Sequence, residues 1–168
     1  MSPGLHFVVG LAAILGCGLI AGTFFAFSCF IMRALAKLPA SQGIAAMQSI
    51  NVVVLNPIFL GVFLGTGVLC AGLAVHAALS WSHAGAGWLL AGGLFYLAGD
   101  IVVTGACNVP RNDMLARLDP QSETAAALWG DYIGGWTAWN HVRTVTGLAA
   151  AGCLTIGLQL SHSGNLGL

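Results

Sequence analysis

Trp136-Thr137-Ala138-Trp139-Asn140-His141-Val142-Arg143 puts two indoles, an amide, an imidazole and a guanidinium into eight residues, directly before an apolar run reaching Leu160. Indoles form flat walls, amide and guanidinium groups donate hydrogen bonds, and a neutral imidazole can accept a proton. Aromatic walls with a few convergent polar groups suit a flat, partly polar small molecule entering from the bilayer. Plainer readings exist. Tryptophan is common where a membrane meets water, and an arginine there can snorkel outward as a topology anchor. An aromatic belt does not account for Asn140, His141 and Arg143 together.

The elements that position this stretch are membrane helices. Only 6% of the 168 residues are charged and 58% are hydrophobic, with a mean hydropathy of +0.90. A soluble domain carries about 25% charged residues. Four apolar spans are expected, at about 7–32, 52–80, 87–107 and 140–160. No alternating pattern suggests transmembrane strands, so the expected fold is all-α, a polytopic membrane protein forming one four-transmembrane-helix bundle over 1–168. Phe7–Met32 carries no charge and would be about 39 Å long as a helix, enough to cross a lipid core of roughly 30 Å. It is too long for a signal-peptide core, and no Lys or Arg precedes it. Gly18-x-x-x-Gly22 and Gly61-x-x-x-Gly65 offer small faces for close helix approach inside the bundle. Such faces serve equally between chains, which leaves a homo-oligomer or a membrane-complex partner open.

Arg33 and Lys37 fall in the first connection, Arg111 and Arg117 in the third, and the second connection has no Lys or Arg. The excess of positive charge on cytoplasmic loops then places the first and third connections inside and both termini outside. The expected location is a cell inner membrane, with the polar stretch on the cytoplasmic side.

Three further segments converge on that depth. The first connection should form a helix capped by Ser41 and running through Met47. It would enter span two at Asn51 and Asn56-Pro57, where the proline leaves the Val53 carbonyl without its usual partner and available to Asn56 or a ligand. Span three places Asp100, Thr104, Cys107, Asn108 and Arg111 on one helical face. Asp100 would lie roughly 12 Å along the helix from Asn108. An ionisable group at that depth is costly; it is either a proton acceptor or substrate anchor, or a neutral structural carboxyl. The third connection is too long for a plain loop. Asp119-Pro120 should start an interfacial helix over about 120–134, with a bend at Gly134-Gly135 before span four.

The sequence excludes several classes. The formal net charge is zero and no basic tract serves nucleic acid. Cys17, Cys29, Cys70, Cys107 and Cys153 contain no C-x-x-C pair and read as buried thiols. His6, His76, His83 and His162 have no mutual metal-ligand spacing, so no metal is assigned. No phosphate loop, nucleotide fingerprint or serine nucleophile motif is present, and no cofactor is expected.

Gly22-Thr-Phe-Phe-Ala-Phe-Ser28, Gly43-Ile-Ala-Ala-Met-Gln-Ser-Ile-Asn51 with Asn56-Pro57, Asn108-Val-Pro-Arg-Asn-Asp113 and Trp136-x-x-Trp-Asn-x-x-Arg143 resemble the anthrone oxygenase-like family of small integral membrane proteins. The resemblance covers about three quarters of the chain, and its most specific parts are Asn-x-Pro-x-Asn and Trp-Asn-x-x-Arg. It implies oxidation of an anthrone to an anthraquinone by dioxygen, without metal or flavin. Such chemistry needs a base, a cationic or amide site for the enolate oxygen, and a pocket closed to water. On that basis Arg143 and Asn140 are the expected oxyanion partners and Trp136 and Trp139 the stacking walls. His141 is the first candidate base and Asp100 the second; Asn56, Thr104, Asn108 and Arg111 complete the substrate site. His141 would point about 100° away from Asn140 on an ideal helix. The expected ligands are a hydrophobic aromatic small molecule and dioxygen, within a lipid bilayer. The competing reading is a non-catalytic membrane binder or accessory subunit. A transporter is disfavoured because no internal repeat is visible.

Overall fold

A computed structural model describes residues 1–165 and contains helices and no strands among them. Helix α1 runs over Pro3–Ala26, passes through a π turn at Phe27–Ile31 and ends with Met32–Ala36. Helix α2 covers Ala40–Val53 and α3 covers Pro57–Leu79. Helix α4 begins as Ala86–Leu94, continues through π segments at Phe95–Val102 and Thr104–Asn108, and ends with Val109–Ala116. Helix α5 is Glu123–Asn165. All except α2 are long and apolar enough to cross a membrane. They run up and down in turn, with α1 against α3 and α5, and α4 against α3 and α5.

The apolar interior has two parts. Ala13, Cys17, Ile20, Phe63, Leu73, Tyr96 and Leu154 pack within the four-helix section. Met32, Ile44, Met47, Leu115, Trp129, Tyr132 and Trp136 form a second core, where α2 and the first half of α5 cover the ends of α1 and α4. Gln48 fastens this head by donating to the Leu115 and Leu118 carbonyls at 2.8 and 2.9 Å, at the turn where α4 ends and carbonyls run out of helical donors. Arg33, Lys37, Arg111 and Arg117 all belong to this end of the molecule.

Three local expectations are corrected. The helix expected over 120–134 is present but does not stop at Gly134-Gly135: α5 is one rod of 43 residues, about 64 Å long. It starts later than Asp119-Pro120 would suggest, with Ser122 Oγ accepting from the Ala125 amide at 3.1 Å. Span two is not a kinked continuation of α2. The chain breaks after Val53, and Asn56 caps α3 by accepting from the Ile58 and Phe59 amides at 3.1 and 3.0 Å while donating to the Val53 carbonyl at 3.0 Å. The helix before it starts at Ala40, directly after Pro39, so Ser41 lies within it.

The third correction concerns glycine. A methyl added at Gly18, Gly22, Gly61 or Gly65 would meet nothing within 4 Å, so neither Gly-x-x-x-Gly face lies at a close contact. Gly61 and Gly65 instead border an open apolar groove of about 690 Å³ between α1 and α3. Close approach occurs at Gly99, where a Cβ would fall 2.2 Å from Thr146 of α5, and at Gly147, 3.0 Å from Ala21 of α1.

Candidate functional site

Arg143 is the centre of a polar layer inside the four-helix section and is only 4% exposed. A guanidinium held away from water must find acceptors or aromatic faces, and it has both. Nη2 donates to Asn140 Oδ1 at 2.7 Å, one turn earlier on α5, and Nη1 to Thr104 Oγ1 of α4 at 3.2 Å. Its central carbon stands 4.0 Å from the Phe24 ring centroid and 5.1 Å from that of Trp136. Nε has no partner.

Asn140 is fully buried. Its amide nitrogen donates to the Phe24 carbonyl at 2.6 Å and to Ser28 Oγ at 2.7 Å, so its oxygen is turned toward Arg143. Ser28 lies 3.2 Å from Thr144 Oγ1, which donates to the Asn140 carbonyl at 2.9 Å. Ser28 sits in the π turn of α1. Such turns break the regular ladder and recur at functional sites.

Asp100, also fully buried, lies on the neighbouring turn. Thr146 Oγ1 donates to its Oδ2 at 3.4 Å, and its Oδ1 has no partner. Oδ1 faces the bare backbone of Gly147, where a Cβ would stand 3.2 Å away. Two chemically opposite groups thus each keep one unpartnered atom in adjacent layers: Arg143 Nε and Asp100 Oδ1.

Below this layer, toward the head, Asn108 donates to the Trp136 carbonyl at 3.2 Å and leaves Oδ1 without a partner. Asn112 Oδ1 receives both Trp136 Nε1 and the Tyr132 hydroxyl at 2.9 Å, which fixes the indole against Phe27 with ring centroids 5.5 Å apart. Trp129 stacks on Tyr132 at 5.5 Å.

Arg143, Asn140, Thr104 and Trp136 therefore meet, with Asp100 and Asn108 on either side. The others do not join them. The His141 side chain is exposed on the outer surface of α5, as the 100° offset implies. Trp139 is 37% exposed. Arg111 reaches along its own helix to the Cys107 carbonyl at 2.6 Å and lies over Gly135. Asn56 is committed to its cap. Phe24, Ser28, Thr144 and Thr146 belong to the layer without having been singled out by residue type. Phe24 and Ser28 are the first polar-layer contacts contributed by α1, and only their place within Gly22–Ser28 marked them.

The model of a family described as anthrone oxygenase matches residues 59–153. The chain belongs to the anthrone oxygenase family. The match spans more than half of the 168 residues and takes in Asp100, Thr104, Asn108, Arg111, Trp136, Asn140 and Arg143. It does not reach Phe24, Ser28 or Asn56, so the α1 side of the polar layer lies outside the anthrone oxygenase match. No curated protein and no solved structure matches the chain.

Proposed function

We propose that this chain is a membrane-embedded oxygenase that oxidises an anthrone-like phenolic or quinonoid molecule with dioxygen. The observation that carries the reading is the unsaturated guanidinium of Arg143, buried between two aromatic rings and held in place by Asn140 and Thr104. A preorganised donor in a water-poor setting stabilises an oxyanion far more than it would in water.

In the proposed reaction a base removes a proton from the methylene carbon opposite the carbonyl in the central ring. Conjugation through the flanking rings carries the charge to the carbonyl oxygen, and this enolate oxygen takes the free donor of Arg143. The enolate carbon adds to dioxygen and gives a hydroperoxide. Loss of water, with removal of the second hydrogen from that carbon, leaves the quinone carbonyl. Anthrone and dioxygen become anthraquinone and water, and the substrate itself supplies every electron. Asp100 takes the role of base in this proposal because Oδ1 is inside the bundle and unpartnered, whereas His141 lies on the outer surface. Trp136 and Phe24 hold the Arg143 guanidinium between their rings, and the exposed Trp139 faces the bilayer path by which an aromatic molecule enters.

Four basic residues near the Arg143 end support placing that end in the cytoplasm, with both termini outside a cell inner membrane. The direct test is anthrone oxidation under air by the detergent-purified chain, followed by quinone absorbance. Faster quinone formation with the intact protein and not with Arg143→Ala is expected. No gain over the spontaneous rate across several anthrones refutes the proposal.

A further inference from the structure

The opposite end of the bundle holds a second cluster that plays no part in that chemistry. Four of the five histidines, His6, His76, His83 and His162, line one cleft of about 560 Å³, together with Ser80 and Ser161. They come from the start of α1, the end of α3, the α3–α4 connection and the end of α5. His6 is about 27 Å along α1 from Phe24, so the cleft is separate from the Arg143 layer. Among the described residues no Asp, Glu, Lys or Arg side chain lines it.

The His6 and His76 rings stand 5.5 Å apart, centroid to centroid, tilted by 56°. Both ring nitrogens of His6 are buried without a hydrogen-bond partner, a costly state for groups of this polarity. Imidazole nitrogen binds zinc at about 2.0–2.1 Å, which puts the ion about 3.1 Å from each ring centre. Two rings sharing one ion at a roughly tetrahedral to trigonal angle then have centroids about 5–5.5 Å apart. The observed separation matches that spacing. His83 adds a second-layer feature: Nδ1 is 3.2 Å from the Ser80 carbonyl. Donation there leaves the Nε2 lone pair free, the arrangement common to metal-binding histidines.

We propose that His6 and His76 anchor a divalent transition-metal site of the copper and zinc class. Among the described residues no three His, Cys, Asp or Glu side chains already stand in ligand positions. The site is therefore a two-point anchor, with exposed His83 lining the same cleft as a source of a third nitrogen and water in the remaining positions. A neutral set of nitrogen ligands without carboxylate selects Cu(II) and Zn(II) over magnesium or calcium, with copper bound more tightly.

The test uses the full chain purified in detergent without a polyhistidine tag. Titrated by calorimetry with Cu(II) or Zn(II) alone, it should bind one ion per chain. His6→Gln and His76→Gln should each weaken binding by about 100-fold, and His83→Gln by about 10-fold, with helical content by circular dichroism unchanged. Absence of stoichiometric binding by the folded chain overturns the site, as does unchanged affinity in the His6 and His76 variants. Should either variant lose helicity, the Cu(II) resonance spectrum of the unaltered chain decides. Hyperfine structure from at least two imidazole nitrogens sustains the site, and an oxygen-only signature rejects it.

Discussion

Arg143 and Phe24 meet face-on, the guanidinium carbon 4.0 Å from the ring centroid, while the backbone carbonyl of the same Phe24 accepts from Asn140. One residue of α1 thus holds both oxyanion candidates of α5, the ring by attraction to the cation and the carbonyl by orienting the amide.

That dependence separates charge from shape at position 143. Arg143→Lys keeps the cation but loses the planar fork that reaches Asn140 and Thr104 together. Anthrone oxidation is expected to fall about 10²–10³-fold, measured as quinone formed per mole of folded protein. An unchanged rate removes the oxyanion role. Arg143→Ala also strands Asn140 Oδ1 and should cost about 1–3 kcal/mol of stability, read from denaturant unfolding in detergent.

Asp100→Asn is nearly isosteric and retains an oxygen able to accept from Thr146. It should leave thermal unfolding close to that of the parent chain while reducing oxidation by about 10²–10⁴-fold. Retained activity would return the carboxyl to a structural role. His141→Ala should leave oxidation near the parent rate, because the exposed imidazole touches none of the layer.

Glycines of α4 and α5 should divide sharply. Gly99→Ala forces a methyl onto Thr146 at 2.2 Å and should destabilise the bundle by about 1–3 kcal/mol. Gly134→Ala meets nothing within 4 Å and sits inside a continuous helix, so it should stabilise by about 0.5–1 kcal/mol. Equilibrium unfolding of both variants tests this, and loss of stability in Gly134→Ala would restore the bend.

Asn56→Ala removes a side chain that serves three backbone groups. The expected loss is about 1 kcal/mol, and up to about 2 kcal/mol given the extra Val53 contact, with proteolysis increasing at Val54–Leu55. Asn56→Asp should keep the two amide contacts and recover most of the stability.

The spans were legible because apolar runs of bilayer length have few alternative fates. What escaped the sequence were the joints. Gly134-Gly135 looked like a bend because glycine weakens a helix by about 1 kcal/mol per residue. Packing around Gly135, where Arg111 lies 3.0 Å from a would-be Cβ, outweighs that. Asn56-Pro57 looked like a kink, yet an asparagine before proline is also a complete helix start. Asp100, Thr104 and Asn108 were grouped on an ideal α-helix, whereas that stretch is wound with i→i+5 bonds. The expected topology already puts His6, His76, His83 and His162 at one end, with both termini and the second connection. Their meeting in one cleft was not legible, because residues so far apart in the chain have no local spacing.

The unbroken rod of α5 has a further consequence. It carries Trp136, Asn140, Arg143, Thr144 and Thr146 on one continuous helix, with no break between them to serve as a hinge. On the proposed function, a substrate would enter the layer from the side of the opposite wall. The π turns at Phe27–Ile31 in α1 and at Phe95–Val102 and Thr104–Asn108 in α4 are the irregular points of that wall. If the layer opens to a ligand, the irregular turns of α1 and α4 rather than the unbroken α5 are where the change in winding should be sought.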